Sequence, residues 1–350
     1  METRQQEKPT MTGMTNTLHT PARAEARGRR VLRGLARVLG VTIALIVALA
    51  LAGVSFEALF ASGDATRYPP PGRLVDVGGY RLHIQCVGTG SPTVVLDAGL
   101  GGTSLDWNLV QTELGLTTRT CAYDRAGMGW SDAGPQPRTP NQIASELHTL
   151  LTNAGIAGPY VLVGQSLGGK NVRLFALQHP DQVVGMVLVD ARSEYVDIHT
   201  SSTDAQAFQK AIASQALLYG VARQLGLVRL IGASQSGAPA MSSETRMAMS
   251  LFATGQPGRD TTTAEALERA TDDAELQAAP SLGERSLIVL AAGQMMEMDP
   301  FWPEAQRQQA ALSTNGRLIT VPNSGHSIHW EQPAVVIDAV RQVVAEARST

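Results

Sequence analysis

Between residues 74 and 321 short apolar runs alternate with helical patterns, and few folds accommodate that alternation. Runs 74–77 and 80–87 are joined by Gly78-Gly79, a hairpin signal. Residues 93–96 and 119–123 read as buried strands, the second followed by a glycine-rich loop, DRAGMGWSD. Residues 141–153 put Ile143, Leu147, Leu150 and Leu151 on one side of a helix. Residues 160–163 form a strand, and 168–179 a helix stopped by Pro180. Strands at 183–189, 286–291 and 317–321 follow, with a closing helix over 333–347. Strands separated by helices predict an α/β fold: a mostly parallel sheet with helices on both faces and an antiparallel edge from the opening hairpin. Residues 193–283 are polar and helix-prone, so they are expected to form an insertion above the sheet.

The N-terminal region has a different character. Eight basic residues against three acidic ones give residues 1–37 a charge of +5, and the remaining 20 and 28 give −8. The near-neutral total of −3 is therefore a cancellation, and it lends no support to nucleic-acid binding. Residues 38–56, VLGVTIALIVALALAGVSF, carry no charge over 19 positions, about the length that spans a bilayer core. Arginines on its N-terminal side predict a cytoplasmic N-terminus and a single-pass anchor with the folded domain beyond the membrane. Partnership with the membrane is expected through this helix. The alternative is secretion after cleavage, since Ala50-Leu51-Ala52 before Gly53 resembles a cleavage site. The expected organisation is a basic tail 1–37, the anchor 38–56, a linker 57–72 with three consecutive prolines, and a domain 73–350 whose cap spans about 193–283. A composition of 43% hydrophobic and 17% charged residues excludes a disordered chain, and two cysteines exclude a small disulfide scaffold.

Gly164-Gln165-Ser166-Leu167-Gly168 fits G-x-S-x-G and lies directly between a strand and a helix. A tight turn there pushes the Ser166 hydroxyl clear of the sheet edge, and the following helix N-terminus supplies positive potential. The same stretch, Gly164 to Lys170, also fits the phosphate-binding loop G-x-x-x-x-G-K, so a P-loop NTPase is the rival from another class. Asn171 stands where that loop needs Ser or Thr, which counts against it. A serine nucleophile needs a base. His326 follows the last strand in NSGHSIHWEQP, just before the closing helix. His329 is the local alternative and is expected to pack beside the site. His148 and His179 fall on helices, His83 in the hairpin and His19 in the tail.

The motifs VVLDAGLGG, YDRAGMGWSD, GQSLGG and SGHSIHWEQP, in that order, resemble those of the α/β-hydrolase fold superfamily, of the serine hydrolase, esterase- or lipase-like type. The resemblance spans about residues 72–350 apart from the insertion. It implies an eight-stranded, mostly parallel sheet with a helical cap, and an oxyanion hole built from the backbone N–H groups of Leu100 and Leu167. It places the third member of a triad after the sixth or the seventh strand, leaving Asp190 as first choice and Asp299 as second, with Glu297 and Glu194 behind. Asp124 and Arg125 are expected to brace the loop, and Trp107, Trp130 and Trp302 to pack in the core, with pocket lining as the alternative. Cys86 and Cys121 would lie on neighbouring strands, where a disulfide and two thiols are both open. Met241, Met247, Met249, Met295, Met296 and Met298 are expected to pack on helix faces, with an adaptable apolar pocket as the alternative. The expected activity is hydrolysis of a neutral or apolar small-molecule ester through an acyl-enzyme, since no basic cluster points to an anionic substrate. A catalytically inactive, binding-only hydrolase fold remains the third possibility. No cofactor or metal is expected, because no Cys/His cluster is present, and the oligomeric state is left open.

Overall fold

A computed structural model of the protein describes residues 21–349. The tail positions Arg4, Lys8 and His19 lie outside the described residues. Two compact units divide the chain, one ending at Ala52 and the other beginning at Gly53. Helix α1 (Pro21–Ala61) contains the whole uncharged run, and Val38, Ile43, Ile46 and Leu49 are all exposed on it. Such a helix is long and apolar enough to cross a membrane, a test that a signal segment also passes.

The second unit is built on one eight-stranded sheet. Its strands are β1 (Arg73–Asp76), β2 (Arg81–Val87), β3 (Thr93–Asp97), β4 (Thr120–Tyr123), β5 (Tyr160–Gln165), β6 (Val183–Val189), β7 (Ser286–Ala292) and β8 (Gly316–Val321). They lie in the order β1-β2-β4-β3-β5-β6-β7-β8. The pairs β1–β2 and β2–β4 are antiparallel and the rest parallel, as the alternation and the hairpin require. At the hairpin, Gly78 and Gly79 adopt φ of +116° and +100°, and both N–H groups donate to Asp76 Oδ1. Cys86 and Cys121 sit directly opposite one another across β2 and β4 and are joined as a disulfide.

The main helices of this unit are α2 (Asn108–Leu114), α3 (Pro140–Asn153), α4 (Leu167–Gln178), α5 (Ser202–Gln224), α6 (Leu227–Gln235), α7 (Ser243–Thr254), α8 (Gln256–Glu268), α9 (Trp302–Ala310) and α10 (Pro333–Ser349). Alternate strand residues serve opposite faces. Val94, Leu96, Val161, Val163 and Val187 pack with Val110 of α2 and Val340 and Val343 of α10. Val95, Leu162 and Leu188 pack with Leu147 and Leu150 of α3 and Val172 and Phe175 of α4. Burial on both faces explains why these strands read as continuous apolar runs.

Helices α5 to α8 occupy the stretch between β6 and β7 and form the cap expected there. The expected linker 57–72 is more ordered than its prolines suggest. Helix α1 continues to Ala61, and a further helical turn covers Asp64–Arg67. Glu57 accepts from Arg223 Nε at 2.7 Å and Arg229 Nε at 2.6 Å, while Asp64 accepts from Arg229 Nη2 at 2.7 Å. The partners lie 165–172 residues away on the cap, so local sequence could not reveal them.

Candidate active site

Strand β5 runs into α4 through a turn of one residue. Ser166 takes φ +51° and ψ −118°, a backbone region that side-chain-bearing residues rarely occupy and that costs about 1–3 kcal/mol. Glycines make the turn possible. A Cβ on Gly164 would stand 2.4 Å from the Gly168 carbonyl oxygen, and one on Gly168 would stand 2.4 Å from the Asp97 carbonyl oxygen. Gly99 is equally constrained, because a Cβ there would lie 2.2 Å from Gln165 Oε1 and 3.2 Å from the Ser166 Cβ. The loop after β3 therefore lies directly against the serine.

Ser166, His326, Leu100 and Leu167 line one cavity of about 410 Å³. Among the described residues, the N–H groups of Leu100 and Leu167 have no intramolecular acceptor. That is the condition an anion-binding pair of donors must meet.

His326 Nδ1 donates to Asp190 Oδ2 at 2.6 Å. Asp190 is fully buried and holds φ +44° just past the end of β6. Its Oδ1 accepts from the Ala292 N–H at 2.9 Å and from Trp302 Nε1 at 2.7 Å. The two donors on Oδ1 fix the carboxylate's orientation and leave Oδ2 facing the imidazole. Of the two candidate aspartates, Asp190 is the one that bonds His326. Asp299 also lines the cavity, but its Oδ1 caps the Phe301 N–H, and it makes no bond to His326. Glu194 is taken by Arg173. Gln165 Nε2 donates to the His326 carbonyl oxygen at 3.2 Å, so the serine turn also holds the histidine loop.

His329 packs beside the site as expected. It is buried, with its ring 4.8 Å from Trp107, and burial followed by the nearby His326 pushes its pKa down to about 3. The ring is therefore neutral at physiological pH. Asp106, also on the cavity, is pushed up to about 6 by burial, against the opposing hydrogen bonds of Thr103.

Asp124 and Arg125 brace the loop. Asp124 accepts from the Ser104 and Trp130 N–H groups and pairs with His83 Nδ1 at 2.9 Å. Arg125 donates to the Ala98 and Gly99 carbonyls, to Asp97 and to Glu265 of α8. Burial opposes its charge, yet Glu265 and Asp97 more than offset this and raise its pKa. Sequence reading missed Glu265, which lies in the cap 140 residues from Arg125.

Other expectations are corrected. Lys170 cannot serve a phosphate-binding loop, because its side chain is fully buried and its ammonium bonds Asp197, Asp273 and the Arg269 carbonyl. Of the methionines, Met295 lines the cavity, while Met241 and Met249 fill a small core with Ala238 that packs against Leu105, Leu109 and Trp330. Trp302 is no mere packing residue, since it bonds Asp190 and lines the cavity. The expectation of no basic cluster also needs revision: Arg192 and Arg269 both line the cavity and share Asp197 Oδ1. Among the described residues no group of His, Cys, Asp and Glu is arranged to hold a metal.

Residues 94–339 match the model of the alpha/beta hydrolase family. The chain belongs to that family. Its fold matches a thermophilic esterase from Thermogutta terrifontis, with a TM-score of 0.59 and 22% identity over 79% of this chain and 98% of that one. Among curated proteins it is 26% identical over 299 residues to a Hormonema carpetanum protein named probable transporter efuK. It is 29% identical over 291 residues to an uncharacterized protein of Schizosaccharomyces pombe. These alignments cover 78% and 74% of the hydrolase chain but 42% and 52% of the two relatives, so it spans about half their length.

Proposed function

We propose that this alpha/beta hydrolase cleaves a carboxylic ester through a covalent acyl-enzyme on Ser166. The observation that carries the reading is the 2.6 Å bond from His326 Nδ1 to a fully buried Asp190, beside a serine held at positive φ on the same cavity. With Nδ1 carrying its proton toward Asp190, Nε2 keeps a lone pair and acts as general base. Ser166 Oγ attacks the ester carbonyl as His326 takes its proton. The tetrahedral oxyanion accepts from the N–H groups of Leu100 and Leu167, each donor worth about 3–4 kcal/mol in the transition state. His326 then protonates the leaving alkoxide. Water, deprotonated by the same imidazole, releases the acid and restores the serine. Asp190 positions the ring and stabilises its charged form.

Met295, Trp302, Trp330, Phe208 and Ile212 give the cavity an apolar lining, which suits a neutral or apolar acyl group. A second reading of the substrate rests on Arg192 and Arg269, which would favour an ester that also carries a carboxylate. Hydrolysis of p-nitrophenyl esters of increasing chain length, with the hemisuccinate alongside, separates the two. The Ser166→Ala protein should lose all turnover, and turnover persisting in it would refute the mechanism.

A further inference from the structure

Helix α6 is apolar on two sides. Val228 is buried with Tyr68, Ala248 and Leu251, yet Leu227 is exposed and Leu230 is 69% exposed. The end of α5 repeats the pattern, for Leu217, Leu218 and Val221 share one side of the helix and stand in solvent, the first two 72% and 65% exposed. A cluster of large aliphatic side chains on one corner of a soluble surface marks an interaction face.

What covers it follows from the chain that packs there. The uncharged run ends at Phe56, and its last four residues belong to the same compact unit as the cap. Gly53 lies so close to the α5–α6 turn that a Cβ would stand 2.4 Å from the Leu225 carbonyl oxygen. A Cβ on Gly226 would stand 2.9 Å from the Phe56 ring. Glu57, the first charge after the run, bonds both Arg223 and Arg229, which flank that turn, and Asp64 completes the neutralisation. The apolar run therefore ends at the corner that bears the exposed leucines, and the arginines flanking the turn, Arg223 and Arg229, are paired off.

We propose that the α5–α6 corner is a bilayer-docking face, with Leu217, Leu218, Val221, Leu227 and Leu230 seated in the lipid interface. It rests on no claim about catalysis. It does connect to the site, since α5 also sends Phe208 and Ile212 into the cavity. One helix then contacts both lipid and active-site cavity, which favours substrates dissolved in the membrane.

The chain's two cysteines are bonded to each other, so an introduced cysteine is the sole thiol. Leu218→Cys and Leu230→Cys, each labelled with an environment-sensitive fluorophore, are compared with Leu116→Cys, 75% exposed between α2 and β4. The full chain is reconstituted in phosphatidylcholine–phosphatidylglycerol vesicles with and without spin-labelled lipid. Positions 218 and 230 should shift to the blue and be quenched by the lipid at least twofold more than position 116. Quenching at 218 and 230 no greater than at 116 overturns the proposal. So does a blue shift that follows protein density without lipid quenching, which would indicate a second copy of the chain. A label at Leu45→Cys reports the anchor separately: quenched at 45 but not at 230 leaves the anchor and removes the docking face, while the reverse removes the anchor and leaves the face.

Discussion

Replacing Asp190 by Asn tests the geometry of the site without emptying it. Asn tolerates the positive φ at this position, so the backbone is not strained. Oδ1 must remain an acceptor, because both the Ala292 N–H and Trp302 Nε1 point at it. The new NH2 group therefore takes the Oδ2 position and faces His326 Nδ1. Two donors cannot face each other at 2.6 Å, so the imidazole switches tautomer, accepts at Nδ1 and carries its proton on Nε2. It can then no longer accept the Ser166 proton. A wrong tautomer in such a triad lowers kcat by on the order of 10⁴, about 5.4 kcal/mol. The assay is kcat with p-nitrophenyl butyrate at pH 8 for wild-type, Asp190→Asn and Asp299→Asn, with circular dichroism confirming folding. Asp190→Asn should lose at least a thousandfold, and Asp299→Asn should stay within about tenfold of wild-type. A near wild-type Asp190→Asn, or a collapse in Asp299→Asn alone, would show that the triad acid has been assigned wrongly.

Two further substitutions address stability. The His329 pKa falls from 6.5 to about 3 on folding, so the neutral ring is fully tolerated above pH 6.5 and costs progressively more as pH drops toward 3. Relative to His329→Gln, wild-type should therefore lose about 3 kcal/mol of stability between pH 7 and pH 4, measured by urea unfolding; parallel pH profiles would contradict this. Arg125→Met leaves Asp97 and Glu265 buried without their cation, at a cost of about 3–5 kcal/mol, and frees the carbonyls of the loop before Leu100. A loss below about 1 kcal/mol in the same unfolding assay would mean that the ion triad does not brace the loop.

The sheet was legible because burial on both faces writes uninterrupted apolar runs; Ser166 stood out because it directly follows β5, and His326 because it lies in the loop after β8. The aspartate that bonds His326 was less legible, since two aspartates both follow strands and the donors that hold Asp190, Ala292 N–H and Trp302 Nε1, lie more than a hundred residues from it. Lys170 misled for a related reason: its pattern is local, but its partners Asp197 and Asp273 are placed by the cap. The methionines gave no geometry at all, because a flexible side chain fits a core as readily as a pocket. Charge counted along the chain likewise hid the sharing of Asp197 by Arg192 and Arg269, which folding brings together from the loop after β6 and the residue after α8.

The central claim is that Ser166 is an activated nucleophile. Peptide mapping by mass spectrometry after treatment with a fluorophosphonate tests it most directly. One adduct is expected, on Ser166, absent after denaturation and strongly slowed in His326→Ala. A folded protein that remains unlabelled, or that carries its adduct on another residue, would contradict the account.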